Sequence, residues 1–249
     1  MPAKKIISFI SGFVLLFFIY HFPEFFTAFW IMAVFKIGFL IIAFLLARLQ
    51  GWKGLEGYGF GLSQGWAVFL LKGLGTGLLF FFLSVVVSIQ LGWEHVISIE
   101  PVPGILKQLP MILLMTAIPS AAEDILTRGY LYAHLKQLKP WVWILISAVV
   151  YVLNHIWRLN DGPAVLLYLL LLGLVLALAV WVTKSLWLAF GIHWGANIAF
   201  ESSRSFIQTK AASATADNTW LLAASWALLL VIMLVIYKNK LKDRQAAVV

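Results

Sequence analysis

The sequence predicts an all-α membrane protein of about eight transmembrane helices, with the chemistry gathered in helices four to seven. Three observations carry this. Hydrophobic residues make up 63% of the 249 positions and charged residues only 11%, against about 25% charged in a soluble domain. The mean hydropathy is +0.97. Apolar runs recur near the length of about 20 residues that a helix needs to cross a bilayer. One membrane domain fills the chain and leaves no room for a soluble one. The sequence has no cysteine, which excludes disulfides, thiolate zinc sites and a cysteine nucleophile. The net charge of +8 is accounted for by loop distribution, so no nucleic-acid partner is expected.

The elements follow in order. Met1-Pro-Ala-Lys-Lys5 precedes an apolar run, Ile6–Phe22, with the layout of a signal peptide. The run is long and no small-residue cleavage site follows, which favours an uncleaved first helix. Further apolar segments are Phe25–Ala47, Trp66–Leu91, Ile105–Ala133, Trp141–Trp157, Ala164–Val182, Leu186–Ala199 and Trp220–Tyr237. Leu186–Ala199 is short for a span and implies tilt or local thinning. Pro110 and Pro119 are expected to kink the long fourth segment. Gly51 to Gly65 reads as a flexible loop, and Ala211–Ala216 as a mobile loop of low complexity. Three regions result: residues 1–100 with the first three helices, 101–200 as a catalytic core, and 201–249 with an outer loop, the last helix and a basic tail.

Loop charges test the count. With the N-terminus inside, Lys4, Lys5, Arg48, Lys53, Lys136, Lys139, Lys184, Lys238, Lys240, Lys242 and Arg244 fall in inner loops. The outer loops hold Arg158, Arg204 and Lys210, together with Glu24, Glu94, Glu100, Asp161, Glu201 and Asp217. This bias places both termini in the cytoplasm. Trp30, Trp52, Trp93, Trp141, Trp157 and Trp220 lie near segment ends, as interfacial belts do.

Three polar clusters interrupt the later helices. Ser120-Ala-Ala-Glu-Asp-Ile-Leu-Thr-Arg128 puts three ionisable groups between apolar runs, at about 2.5–3.5 kcal/mol each, so they are expected to face a cavity or a partner. On a helix Asp124 and Arg128 share a face and can pair. Glu123 points about 100° away and has no partner at helical spacing, which suits a general base. A plainer reading makes Ser120-x-x-Glu123 a capping box and Asp124–Arg128 a surface pair. Tyr151 and His155 lie one turn apart, as do His193 and Asn197. From the inner edge, a rise of about 1.5 Å per residue puts Glu123 roughly 20 Å deep, His155 roughly 22 Å, His193 roughly 13 Å and Asn197 roughly 20 Å. One glutamate, two histidines and an asparagine therefore reach overlapping layers. Such a set could activate a water and stabilise an oxyanion, or hold a zinc ion. His21, His95 and His134 fall in loops and read as solvated or interfacial.

Glu123-Asp-x-x-x-Arg128, Tyr151-x-x-x-His155 and His193-x-x-x-Asn197, with Gly129-Tyr-Leu-Tyr132 after the arginine, resemble the ordered motifs of the CPBP (Abi) family. These are intramembrane proteases related to type II CAAX prenyl endopeptidase and to bacteriocin-processing or immunity proteins. The resemblance covers roughly residues 105 to 200 and none of the first three helices. It implies that Glu123 and His155 activate water, that His193 and Asn197 serve the oxyanion or a metal, and that Arg128 is structural. Asp124 departs from the family's usual second glutamate and Tyr151 from its common phenylalanine. The resemblance leaves zinc open, with Glu123, His155 and His193 as candidate ligands. The leading expectation is a metallo- or glutamate endopeptidase of a bacterial cell membrane, acting on a membrane-associated, prenylated CAAX-like or bacteriocin-like peptide. The alternatives are a non-catalytic immunity or scaffold protein and, further off, a transporter. A transporter is disfavoured by the lack of an internal repeat.

Overall fold

The computed structural model describes residues 3–212 and 217–246, with side chains up to residue 240. Part of the Ala211–Ala216 loop, and the side chains of Lys242 and Arg244, lie outside the described residues. The helices are α1 (Ala3–His21), α2 (Phe29–Leu49), α3 (Trp66–Gln90), α4 (Val102–Asp124), α5 (Tyr130–Leu135), α6 (Pro140–Asn154), α7 (Pro163–Thr183), α8 (Trp187–Phe206) and α9 (Thr219–Ala246). A π-helical turn, Ile125–Gly129, joins α4 to α5, making one apolar rod from Val102 to Leu135. With that rod counted once, the apolar segments of the sequence appear as eight helices among the described residues.

Six of these helices are long and apolar enough to cross a bilayer. The two that fall short are α6, with 15 residues, and α8, whose length of 20 residues includes histidine, asparagine, glutamate and arginine. They are the helices that carry the two histidine motifs. Sequence length and apolarity weaken where polar groups are needed inside.

Contacts between loops sort the helix ends onto two faces. On one face, β1 (Glu94–Ile99) pairs antiparallel with β2 (Ile207–Ala211), from Glu94 opposite Ala211 to Ile99 opposite Ile207. Both segments read as loops in the sequence. Pairing satisfies backbone groups that would otherwise compete poorly for water near the lipid. On the other face, the glycine-rich segment is packed rather than flexible. Leu55–Tyr58 forms a 3-10 turn that buries Tyr58. The Tyr58 hydroxyl donates to Gln50 Oε1 at 2.9 Å, and Gln50 Nε2 donates to the Tyr130 hydroxyl at 3.1 Å. The Gly59 carbonyl accepts the Leu186 N–H at 2.9 Å. Gly54 and Gly59 reverse the chain here with φ of 122° and 102°, which only glycine adopts freely.

The core is centred on α7, almost wholly buried from Val175 to Val182. The closest packing lies between α3 and α8. A Cβ on Gly77 would come within 2.1 Å of the Ile192 carbonyl oxygen, and one on Gly73 within 2.5 Å of that of Leu188. Gly191 and Gly195 face α3 in the same way, 2.4 Å from the carbonyls of Leu70 and Leu74. These four-residue spacings of glycine let two helix backbones touch, as small residues do in membrane interfaces. Gly77→Val is expected to force α3 from α8 and cost about 1–3 kcal/mol, whereas Gly75→Ala, with open space around it, stays near wild type. Melting temperatures of the purified variants in detergent check this; equal values for the two would refute the contact.

Candidate active site

The site is built where α4 ends. Ser and Thr hydroxyls follow the prolines of α4: Thr116 donates to the Ile112 carbonyl and Ser120 to the Thr116 carbonyl, each at 2.7 Å. The helix then widens into its π turn, a device common at functional sites. Within it the Thr127 hydroxyl donates to the Glu123 carbonyl at 2.8 Å, and Ser147 of α6 donates to the Thr127 carbonyl at 2.9 Å. Gly129 ends the turn because the Tyr58 carbonyl lies 2.4 Å from where its Cβ would stand.

Four ionisable groups are thereby buried together. Exposure is 6% for Glu123, 0% for Asp124 and Arg128, and 2% for His193. Asp124 pairs with Arg128 as the helical spacing indicated. Arg128 Nη1 also donates to Thr127 Oγ1 at 2.9 Å, and its guanidinium stacks 4.4 Å from the Tyr151 ring centre. The surface-pair reading of these residues is therefore set aside. Asp124 has a second partner that the sequence did not reveal: His193 Nδ1 lies 3.2 Å from Asp124 Oδ1.

Glu123 is held by other helices. The Tyr20 hydroxyl donates to Oε2 at 3.3 Å and Asn154 Nδ2 to Oε1 at 3.2 Å. His155 Nδ1 stands 3.6 Å from Oε1 and His193 Nε2 stands 3.8 Å from Oε2. His155 follows the last residue of α6, and its Nδ1 lies 2.9 Å from the Tyr151 carbonyl oxygen. A carbonyl and a carboxylate only accept, so Nδ1 carries the proton in both histidines and leaves each Nε2 free to take one. Asn197 Nδ2 donates to Ser120 Oγ at 2.9 Å. Tyr151 packs edge-on against both imidazoles, with centroids 4.7 Å from His155 and 5.9 Å from His193.

All four candidate residues border one cavity of about 680 Å³, with Tyr151 beside them. Asp124 and Arg128 lie behind its wall. Tyr20 and Asn154 were missed in the sequence. Asn154 directly precedes His155 inside an apolar run and was a readable signal; Tyr20 had none beyond its place near a helix end. Ser120, read as a helix cap, lies instead inside α4 and accepts from Asn197. His21, read as solvated, is buried as the last residue of α1, with Nε2 2.9 Å from the Asn154 carbonyl. His134 is half-buried in α5 against Tyr130, while His95 is exposed in β1. Lys36 of α2, also overlooked, is buried and donates to the Tyr20 carbonyl at 2.9 Å, so it braces the residue that touches Glu123.

Among the described residues, no group of three His, Cys, Asp or Glu side chains is arranged to hold a metal ion. The two histidines address different oxygens of Glu123, His155 through Nδ1 and His193 through Nε2, so the three side chains do not converge on one point in this arrangement.

The fold and the cluster define a multi-helix membrane protein with a buried carboxylate–imidazole site. Residues 105–199, which contain the whole motif set, match the family model for Rce1-like type II CAAX prenyl endopeptidase. The match spans less than half of the chain, agrees with the family that the motifs resemble, and indicates a CAAX-type intramembrane protease. None of the curated proteins matches the chain.

Removing Arg128 would strand Asp124 without its counter-charge, at a cost of about 3–5 kcal/mol. Arg128→Ala is expected to lower the melting temperature and yield sharply. Asp124→Asn is expected to be unstable also, and in addition to loosen His193. An Arg128→Ala protein that melts with wild type would show that the pair does not hold the site together.

Proposed function

We propose that the chain is an intramembrane endopeptidase in which Glu123 and His155 activate a water and His193 and Asn197 stabilise the oxyanion. The carrying observation is that Glu123, buried beside two imidazoles whose Nε2 atoms are free, borders the cavity with Asn197. The water oxygen adds to the peptide carbonyl carbon as Glu123 accepts its proton. Donation from His193 Nε2 to the oxyanion requires the imidazolium, whose ring Asp124 holds in place through Nδ1. Asn197 has a second amide hydrogen beyond the one given to Ser120. Collapse of the tetrahedral adduct breaks the C–N bond, and the proton passes through His155 or Glu123 to the leaving amine. Tyr20 and Asn154 orient the carboxylate; they are positioning residues. The substrate is a peptide segment that reaches the cavity, in a bilayer where both termini lie on the cytoplasmic side.

Glu123→Gln keeps the shape of the side chain and removes the base, and should cost about 10²–10⁴ in rate. Asn197→Ala should be comparably slow yet folded, since one oxyanion donor is worth about 10²–10³. Groups that act as a unit are not additive, so Glu123→Gln combined with His155→Ala should lose little beyond either change alone. Cleavage of a membrane-proximal peptide by purified protein in liposomes measures these rates. Undiminished cleavage by folded Glu123→Gln protein would remove the mechanism. A strong chelator should leave the wild-type rate unchanged; its loss, restored by zinc, would replace the glutamate-activated water with a metal-bound one.

A further inference from the structure

We infer that this site takes its peptide from the face opposite the chain termini, so that its substrate is an extended peptide displayed outside the cytoplasm rather than a cytoplasmic prenylated C-terminus. What is done to the peptide rests on the protease reading; the side from which it arrives rests on geometry alone.

Four observations carry this. The first is the level of the cluster. Tyr20 is the next-to-last residue of α1, Asn154 is the last of α6, and His155 lies just beyond it. Both helices run away from the face that holds Lys4, Lys5, Lys136 and Lys139, so Glu123 sits level with their far ends. The second is the cavity. It runs from Glu123 to Glu94, Ile97, Arg158, Gln208, Thr209 and Asn218, all from segments on the β1–β2 face, and we take that end as its mouth. The third is the closure on the other side. The Tyr58–Gln50–Tyr130 hydrogen-bond chain and the Gly59–Leu186 contact stopper the bundle there. The second cavity, about 520 Å³ beside Lys5, Trp52 and Lys136, shares no residue with the first. The fourth is charge. Lysine and arginine collect on the terminus face, while the mouth face has Lys107, Arg158, Arg204 and Lys210 near the helix ends and in β2, which makes the mouth face non-cytoplasmic.

The mouth also says something about the form of the peptide. β1 and β2 make a two-stranded sheet, so among the described residues each strand keeps one edge without a strand partner. Ile97, Gln208 and Thr209 of this ribbon line the cavity. An extended peptide laid along a free strand edge is held by main-chain hydrogen bonds, in the conformation from which it can run down to Glu123.

The chain lacks cysteine, so single cysteines report access cleanly. Ser84→Cys and Ser203→Cys place thiols on the cavity wall, and Lys136→Cys marks the terminus face. Neither serine belongs to the proposed machinery. A charged, membrane-impermeant methanethiosulfonate reagent added to intact cells should modify Ser84→Cys and Ser203→Cys to near completion. Lys136→Cys should react only in inverted vesicles. Modification of the cavity thiols only from the side that reaches Lys136→Cys overturns the inference. So does reaction of Lys136→Cys in intact cells. So does a Ser84→Cys thiol shielded from both sides while the denatured protein reacts. These readouts need no catalysis: labelling from outside together with a fully active Glu123→Gln variant would remove the protease mechanism and leave the access route standing. The reverse result would do the opposite.

Discussion

The arrangement depends on one constraint: the Asp124–Arg128 pair has no access to water, and everything near it must compensate. Two opposite charges in a low-dielectric interior survive only with each other and with further hydrogen bonds. The π turn between them widens the helix and leaves backbone groups out of the regular ladder. Ser147 donates to the Thr127 carbonyl within it, and Thr127 donates to the Glu123 carbonyl just before it. Tyr151 offers its ring face to the guanidinium, and Gly129 lets the Tyr58 backbone close the far side. Residues from α6 and the Leu55–Tyr58 turn are thus recruited by a pair that never touches the cavity.

The pair in turn sets the roles of its neighbours. Adjacent residues on a helix point about 100° apart, so Glu123 and Asp124 meet different partners. His193 is the exception that joins them, with Nδ1 toward Asp124 and Nε2 toward Glu123. A carboxylate behind an imidazole fixes its ring and tautomer. The aspartate at position 124 therefore does more than neutralise Arg128. Its shorter side chain, the departure from the family pattern, still reaches both partners.

Much of this was legible in the sequence, for physical reasons that differ by residue. Ionisable side chains in apolar runs are costly, so Glu123, Asp124, Arg128, His155 and His193 stood out. Four-residue spacing gave the Asp124–Arg128 pair directly. Tyr20 did not stand out, because a tyrosine near a helix end is ordinary, and Ser120 was noticed only as a cap. Lys36 was passed over because one lysine does not break the apolarity of α2, yet it is buried against Tyr20. The segment from Gly51 to Gly65 was misread because glycine signals both mobility and tight turns. Here positive φ at Gly54 and Gly59 serves a packed turn. The paired strands β1 and β2 are joined across more than a hundred residues, and no local pattern announces such a partner. The glycine spacings of α3 and α8 were present to be read, but their meaning depends on which helices meet.

The same balance explains why the site draws on the short helix α6 and the polar helix α8. A segment rich in histidine, asparagine and serine gains little from lipid and must be held by other helices. α8 is gripped by α3 through backbone contact at four glycines, and Trp194 donates to the Leu113 carbonyl of α4 at 3.1 Å. α6 is held by α7, the most deeply buried span, where Gly173 lies against Ala148 and Tyr151. Helices in a membrane associate by close packing and hydrogen bonds rather than by a hydrophobic drive. Small residues in the neighbours are therefore what allow polar residues in the site. The apolar helices supply the membrane anchorage, the glycines supply proximity, and the marginal helices are left free to carry charge to the cavity wall.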